Sequence, residues 1–220
     1  MKVFHFIRRM LLVACMSPIV ICAAPMGFQG SWMSMGDFGQ NWREIYANYA
    51  LTPRDAFGLE HTYMRSDDER HTVRLTDAIY TRLLQRWNLP NAQSNVWFIG
   101  GLGSARMRDQ SAGLADTRLM ISPGVQLDYE TTRVYFAAMA RLYRAHGINH
   151  DYGSVRAGFS FYETDYDQTQ PWLIVEVRRM HDLSDKIEIT PMFRLINKNY
   201  FIEAGVNNSH ELRFNYMYIF

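Results

Sequence analysis

The feature that most constrains this chain is the strict alternation of residue types in its last eleven positions, 210–220. Leu212, Phe214, Tyr216, Tyr218 and Phe220 stand at every second position, so in a β-strand all five side chains lie on one face. That face is wholly apolar or aromatic. It would promote aggregation at the edge of a water-soluble sheet, whereas a strand that faces lipid requires it. The pattern therefore favours a strand in contact with a membrane.

Residues 210–220 also resemble the carboxy-terminal signature of bacterial outer-membrane β-barrels, the segment that their insertion machinery recognises. The resemblance implies that the five alternating residues form a membrane-insertion signal. It further implies location in the outer membrane of a Gram-negative bacterium and insertion by the barrel-assembly machinery after export through the Sec translocon. The expected partners are outer-membrane lipid and lipopolysaccharide, and the expected state is a monomer.

The amino terminus has the character of an export signal. Lys2, Arg8 and Arg9 precede an apolar stretch at 10–21, and small residues follow; this order is typical of a cleaved signal peptide. We predict a signal peptide at 1–23 and a single barrel domain at 24–220. A lipoprotein-like box that ends at Cys15 is the alternative processing site.

Cysteine usage and charge exclude several classes of protein. The two cysteines, Cys15 and Cys22, both lie in the predicted signal peptide, so the domain is expected to hold no disulfide, cysteine–zinc site or catalytic cysteine. A formal net charge of +1 gives no electrostatic basis for binding nucleic acid. The mean hydropathy is −0.24, and 14% of residues are aromatic. A polar average with many aromatic residues favours a barrel over a helical membrane protein.

Alternation with period two recurs along the whole chain, and this predicts antiparallel strands with no helix between them. The segments are 30–36, 44–51, 57–64, 73–87, 96–105, 117–129, 133–142, 154–162, 173–178, 187–195, 200–206 and 212–220. We predict an all-β, closed antiparallel transmembrane β-barrel of about 12 strands, with 10 as the alternative. Asp77 falls on the apolar face of its segment, which indicates a bulge or a register error there. Trp87, Trp97, Tyr129 and Trp172 are expected in the periplasmic aromatic girdle.

The opposite, polar faces predict a charged lumen with arginine in excess. The lumen network is expected to comprise Arg118, Arg133, Arg141, Arg156, Glu176, Arg178, Glu188, Arg194 and Glu203, accompanied by Glu44, Glu60, Arg74, Arg82, Arg86, Asp128, Arg213, Tyr46, Tyr80, Tyr135 and Tyr162. Charges inside a small barrel must be paired or hydrated. Two interpretations stay open: an ion-pair network that closes the interior, or a narrow passage that prefers anions.

Histidines are concentrated in the expected extracellular loops. His146, His150 and Asp151 fall in one predicted loop, 145–151, and His71 and His181 fall in others. Imidazole and carboxylate suit copper or zinc, so these five residues are a candidate metal site. Segments 30–37 and 86–103 are similar to small, uncharacterised proteobacterial barrels, some of which accompany heavy-metal efflux systems. The resemblance implies a structural or transport role connected with metal homeostasis.

The alternative function is an outer-membrane enzyme, a lipid or peptide hydrolase with its active site at the rim. Suitable side chains in the predicted extracellular loops are Asp67, Asp68, His71, Asp109, Ser111, His146, His150, Asp151, His181 and Asp182. The spacing of these residues does not pair any nucleophile with a base. We identify no catalytic residue and no cofactor-binding residue from the sequence.

Overall fold

The structure, a computed structural model, describes residues 24–109, 114–165 and 167–220. The predicted signal peptide, both cysteines and Ser111 lie outside these residues. The strand segments are β1 (Trp32–Phe38), β2 (Trp42–Ala50), β3 (Asp55–Arg65), β4 (His71–Leu89), β5 (Ala92–Asp109), β6 (Leu114–Ile121), β7 (Gly124–Thr131), β8 (Val134–Ala145), β9 (Ile148–Ser160), β10 (Gln170–His181), β11 (Glu188–Asn197), β12 (Tyr200–Val206) and β13 (Leu212–Ile219).

Segments β6 and β7 form one continuous strand. Ile121 lies opposite Leu102, and Gly124 lies opposite Ile99. The positions differ by three residues on β5 and by three across the gap between β6 and β7, so the register does not change. The interruption falls at Pro123, which has no backbone N–H to donate. The thirteen segments are therefore twelve strands.

Each strand pairs antiparallel with its neighbour in the chain, and β1 pairs with β13 to close the sheet. The predicted closed antiparallel barrel of about 12 strands is confirmed. None of the described residues forms a helix long and apolar enough to cross a membrane. We call the end with the turns at 51–54, 132–133 and 198–199 the lower end. The end with the turns at 146–147 and 207–211 is the upper end.

The outer face of the barrel is largely apolar. Leu119 and Leu212 are 71% and 78% exposed, and the whole alternating set of β13, with Phe220, points outward. Aromatic side chains surround the lower end on this face, among them Trp32, Phe57, Trp87, Tyr129, Phe159, Tyr200 and Tyr218. Trp97 and Trp172 do not join them, contrary to expectation. They are 1% and 2% exposed and point into the barrel.

Strand β4 carries a β-bulge that changes which side chains face inward. The register shifts between Leu83 and Gln85, so Leu84 is an extra residue. Above the bulge, Asp77 is buried together with its apolar neighbours on the inner face. The predicted lumen residues Arg74, Tyr80 and Arg82 are therefore on the outer face, which corrects the sequence prediction.

Candidate functional site

The interior of the barrel is the first candidate site, and aromatic rings from opposite walls meet in it. Trp42 on β2 stacks on Tyr152 of β9, with ring centroids 5.2 Å apart and planes at 28°. It also makes an edge contact with Tyr143 of β8 at 5.8 Å. In the order of strands around the barrel, β2 and β9 lie on opposite sides. The rings therefore span the lumen.

Chain segments from outside the wall cover both mouths. At the upper end, Leu183 is buried in the apolar cluster that contains Trp42 and Tyr143. Its neighbour Ser184 donates a hydrogen bond to Asp67 in the loop after β3, at 2.8 Å. At the lower end, Met26 packs into the apolar cluster around Trp97, and Asn48 donates to the carbonyl of Pro25 at 2.8 Å.

Between the mouths runs a chain of buried ion pairs. Arg194 donates through Nε to Glu203 at 2.5 Å, and Arg156 contacts the second oxygen of the same carboxylate. Arg156 also pairs with Glu176 at 3.2 Å. Arg213 continues the chain, since its Nη2 lies 3.3 Å from Glu176. Each shared carboxylate fixes two guanidinium groups, so the network holds several strands in one arrangement.

Asp37 of β1 is a member of this network that sequence reasoning missed. Arg213 donates to both of its carboxylate oxygens, at 2.7 and 2.9 Å, and Arg178 approaches it at 3.4 Å. Arg178 also pairs with Glu188 at 2.7 Å. The alternation of β1 places Asp37 on the inner face, but its two arginine partners come from strands that meet it only when the barrel closes.

A second buried group centres on Arg141. Its guanidinium donates to Glu60 at 2.8 Å and to the hydroxyl of Ser122 at 2.9 Å. Asp77 lies 3.6 Å away and accepts from the same hydroxyl at 2.9 Å. The backbone makes room for this group at Gly101, where a Cβ atom would lie 1.9 Å from the Asp77 carboxylate.

The predicted excess of arginine is not found in this interior. The five arginines of the two central groups, Arg141, Arg156, Arg178, Arg194 and Arg213, pair with Asp37, Glu60, Asp77, Glu176, Glu188 and Glu203. The predicted lumen residue Arg86 also points inward, where it donates to Asn95 at 2.7 Å. The carboxylates thus neutralise the guanidinium groups, and the described interior offers no surplus positive charge for an anion.

Two predicted members of the lumen network lie elsewhere. Arg133 is exposed at the lower turn and donates to the backbone carbonyls of Ser160 and Phe161. Arg118 points inward near the upper rim but pairs with its exposed neighbour Asp116 at 2.7 Å. Both residues stand at strand ends, beyond the reach of the central carboxylates.

A cavity of about 120 Å³ remains between the stacked rings of Trp42 and Tyr152 and the lower mouth. Its lining includes Glu44, Tyr46, Glu60, Arg141 and Arg156. The charged side chains in its wall offer hydrogen-bond partners, and a volume of this size accommodates a few water molecules. It is well below the size of the clefts that take small ligands.

The structure does not assemble the predicted metal site. Strands β8 and β9 are joined by a turn at 146–147, where Gly147 has φ 77°, so His150 and Asp151 lie on a strand and not in a loop. Adjacent strand residues face opposite sides, and Asp151 pairs with Arg144. Among the described residues, no group of three or more histidine, cysteine, aspartate or glutamate side chains could hold a metal ion.

The remaining histidines of the upper rim pair with single carboxylates. His71 lies 3.6 Å from Asp109, and His181 lies 3.2 Å from Asp182. His146 is exposed at its turn. His181 lies opposite Asp151 on the neighbouring strand and near His150, whereas His71 is on β4 and His146 is at the turn before β9. The structure thus brings three of the five predicted residues together and leaves two apart.

The rim also shows no nucleophile poised beside a base within the described ranges. Ser66 donates to Asp68 at 2.5 Å and accepts from the backbone N–H of His71, not from its imidazole. This hydroxyl, together with the N–H of Arg70, holds the pKa of the Asp68 carboxyl below its usual value. The hydroxyl–imidazole pair of Thr76 and His61, at 2.8 Å, lies on the outer face of the barrel.

Comparison with known proteins bears on the fold. No protein-family model matches this sequence, and no curated sequence matches it. The structure of LpxR from Salmonella typhimurium is similar at 6% identity, over 86% of this chain and 99% of that one, with a TM-score of 0.52. The KdgM porin in complex with disordered oligogalacturonate matches at 12% identity, over 86% of this chain and 98% of that one, with a TM-score of 0.47. The likeness to LpxR concerns the barrel fold alone, and neither comparison supports the expected link with heavy-metal efflux.

Proposed function

We propose that the protein is an integral β-barrel of the outer membrane of a Gram-negative bacterium, closed to the flow of solutes through its interior. Its role is then structural or exercised at its surfaces, not that of an open porin. The outward alternation of β13 supports residues 212–220 as the insertion signal for the barrel-assembly machinery, after export through Sec. The barrel is expected to insert as a monomer.

The main support for a closed interior is the stacking of Trp42 on Tyr152 across the lumen. A passage at this level would require the two rings to separate. Leu183 and Met26 are buried in apolar clusters at the upper and lower mouths, which supports closure at both ends. The ion pairs between them leave no continuous row of free charges that could replace the hydration of a passing ion. Roles in metal homeostasis or hydrolysis remain predictions, because no described residues assemble a ligand set or a nucleophile–base pair.

Planar-bilayer recording tests the closed interior. The purified protein should give no stable conductance steps, while an open porin reconstituted in parallel gives them. A variant Trp42→Ala/Leu183→Ala, which removes the upper closure, should add at most brief openings, because Met26 and the ion pairs remain. Stable steps from the unaltered protein would overturn the proposal.

The membrane location can be tested with the five tryptophans. Trp32 and Trp87 are exposed on the outer face, whereas Trp42, Trp97 and Trp172 are buried inside. In vesicles of lipids with brominated chains, fluorescence should be partly quenched, and the variant Trp32→Phe/Trp87→Phe should lose that quenching. Trp97→Phe is the matched control and should keep it. Equal emission in brominated and ordinary lipid would show that the outer face does not meet lipid.

A further inference from the structure

A row of arginines crosses the outer face near the upper end of β2 to β5. Arg43, Tyr63, Arg74 and Arg106 lie opposite one another on four consecutive strands. Their strand neighbours Met64, Val73, Leu75 and Ala105 are buried inside, so the members of the row point outward. Arg108 follows two residues after Arg106 and is also exposed. We call Arg43, Arg74, Arg106 and Arg108 the arginine row.

The arginine row has no counter-charge among the residues that the structure describes. Arg74 and Arg106 are direct cross-strand partners, and like charges in that position destabilise a sheet. Among the described residues, no carboxylate forms an ion pair with any of the four. Three other arginines that point outward do have such partners: Arg65 pairs with Glu69, Arg82 with Asp55 and Arg144 with Asp151.

An aromatic side chain supports the row. The guanidinium carbons of Arg43 and Arg74 lie 5.7 and 5.9 Å from the ring centroid of Tyr63, which stands between them. Contacts with a ring orient the two guanidinium groups without neutralising them. Their N–H groups remain available to an external anion.

Towards the lower end, the same outer face becomes apolar. The next row holds Ile45 and Leu119 at its ends, with the imidazole of His61 and the hydroxyls of Thr76 and Ser104 between them, and the row after that holds Leu59 and Leu102. Leu59, Leu102 and Leu119 are all more than half exposed. A continuous step from cationic to hydroxylated to apolar surface matches an amphipathic molecule with an anionic head.

We propose that this surface binds the phosphorylated glycolipid of the extracellular leaflet, with phosphate on the arginine row and acyl chains along the apolar rows below. Guanidinium groups bind phosphate through paired N–H donors. Three strand spacings separate Arg43 from Arg106, a width of about 14 Å. That width exceeds one phosphate and suits a large head with more than one anionic group. The proposal rests on the outer-membrane location proposed above.

The test uses the full barrel purified in detergent, so that its outcome is independent of conductance and of membrane location. Lipopolysaccharide is titrated against the protein. Native mass spectrometry gives the amount of bound lipid at each concentration, and from it the dissociation constant. The variant Arg74→Gln/Arg106→Gln should bind at least about tenfold more weakly, because two charge-assisted contacts are lost. Dephosphorylated lipopolysaccharide should bind the unaltered protein as weakly as the intact lipid binds the variant.

The matched control is Arg82→Gln/Arg179→Gln, which removes two outward arginines away from the row and changes the net charge equally. It should bind lipopolysaccharide as the unaltered protein does. Heat-dependent mobility on gels shows that each variant is folded. Equal binding by both double variants would overturn the proposal. So would indifference to dephosphorylation, complete competition by inorganic phosphate, or equally tight binding of phosphatidylglycerol.

Discussion

Replacement of Glu203 by glutamine tests whether the buried ion pairs hold the barrel together. Glu203 is 1% exposed and accepts hydrogen bonds from Arg194 at 2.5 Å, from Asn215 at 2.8 Å and from Arg156. Glutamine keeps the shape but removes the charge that two guanidinium groups share. Its amide N–H₂ would also face one of these donors. Removal of one partner from a buried pair costs about 3–5 kcal/mol, a large part of the roughly 5–15 kcal/mol that stabilises a typical fold.

The assay is reversible urea unfolding in lipid vesicles or detergent, followed by tryptophan fluorescence. Arg82→Gln is the reference variant, because it breaks the ion pair with Asp55 at 3.2 Å on the exposed outer face. Exposed pairs contribute about 0–1 kcal/mol. The free energies of unfolding of the two variants should therefore differ by about 2 kcal/mol or more. The double variant Glu203→Gln/Arg156→Gln should recover part of the loss. If Glu203→Gln unfolds within about 1 kcal/mol of Arg82→Gln, water already screens the interior charges and the reasoning is refuted.

Gly101→Ala should destabilise the barrel by about 1–3 kcal/mol, since its Cβ would meet Asp77 at 1.9 Å. Gly153→Ala, where nothing lies within 4 Å of the new Cβ, should change the free energy of unfolding by less than about 0.5 kcal/mol; equal effects in urea titrations would contradict the close packing. Ser66→Ala should raise the pKa of Asp68, because the hydroxyl that favours its ionised form is removed. Carboxyl ¹³C NMR shifts measured against pH would show this, and an unchanged pKa would exclude the hydroxyl as the cause.

The strands and their closure could be predicted from residue types alone where alternation is clean. Strand β13 is an example. All its outward positions are apolar or aromatic, and Arg213 and Asn215 mark its inward face. Strand β4 could not be assigned in the same way. A one-residue bulge exchanges the two faces, and no residue type marks Leu84 as the extra residue; the misplaced Asp77 was the available signal. In β5, Gly100, Gly101 and Gly103 have no side chain to reveal a face.

The interior was only partly predictable, because pairing across a closed barrel depends on which strands become neighbours. Arg194 and Glu203 lie opposite each other on adjacent strands, and sequence patterns predict such pairs. Asp37 meets Arg178 across 141 residues, and no local pattern predicts that contact. The predicted loop at 145–151, on which the metal site depended, was wrong. Gly147 marks a tight turn, and β8 and β9 extend into the segment that was expected to be a loop.

One seam of the barrel differs from all the others. Every other pair of neighbouring strands is consecutive in the chain, whereas β1 and β13 meet only when the sheet closes. The hydroxyls of Ser34 and Tyr216, 182 residues apart, lie 2.9 Å from each other there. In the membrane location proposed above, loss of β13 would leave two edges of unsatisfied amide and carbonyl groups, on β1 and β12, within hydrocarbon, where each group costs on the order of several kcal/mol. A chain without β13 would therefore not form a slightly less stable barrel, because its sheet would be open. Pairing of β13 with both β1 and β12 is what closes the cylinder.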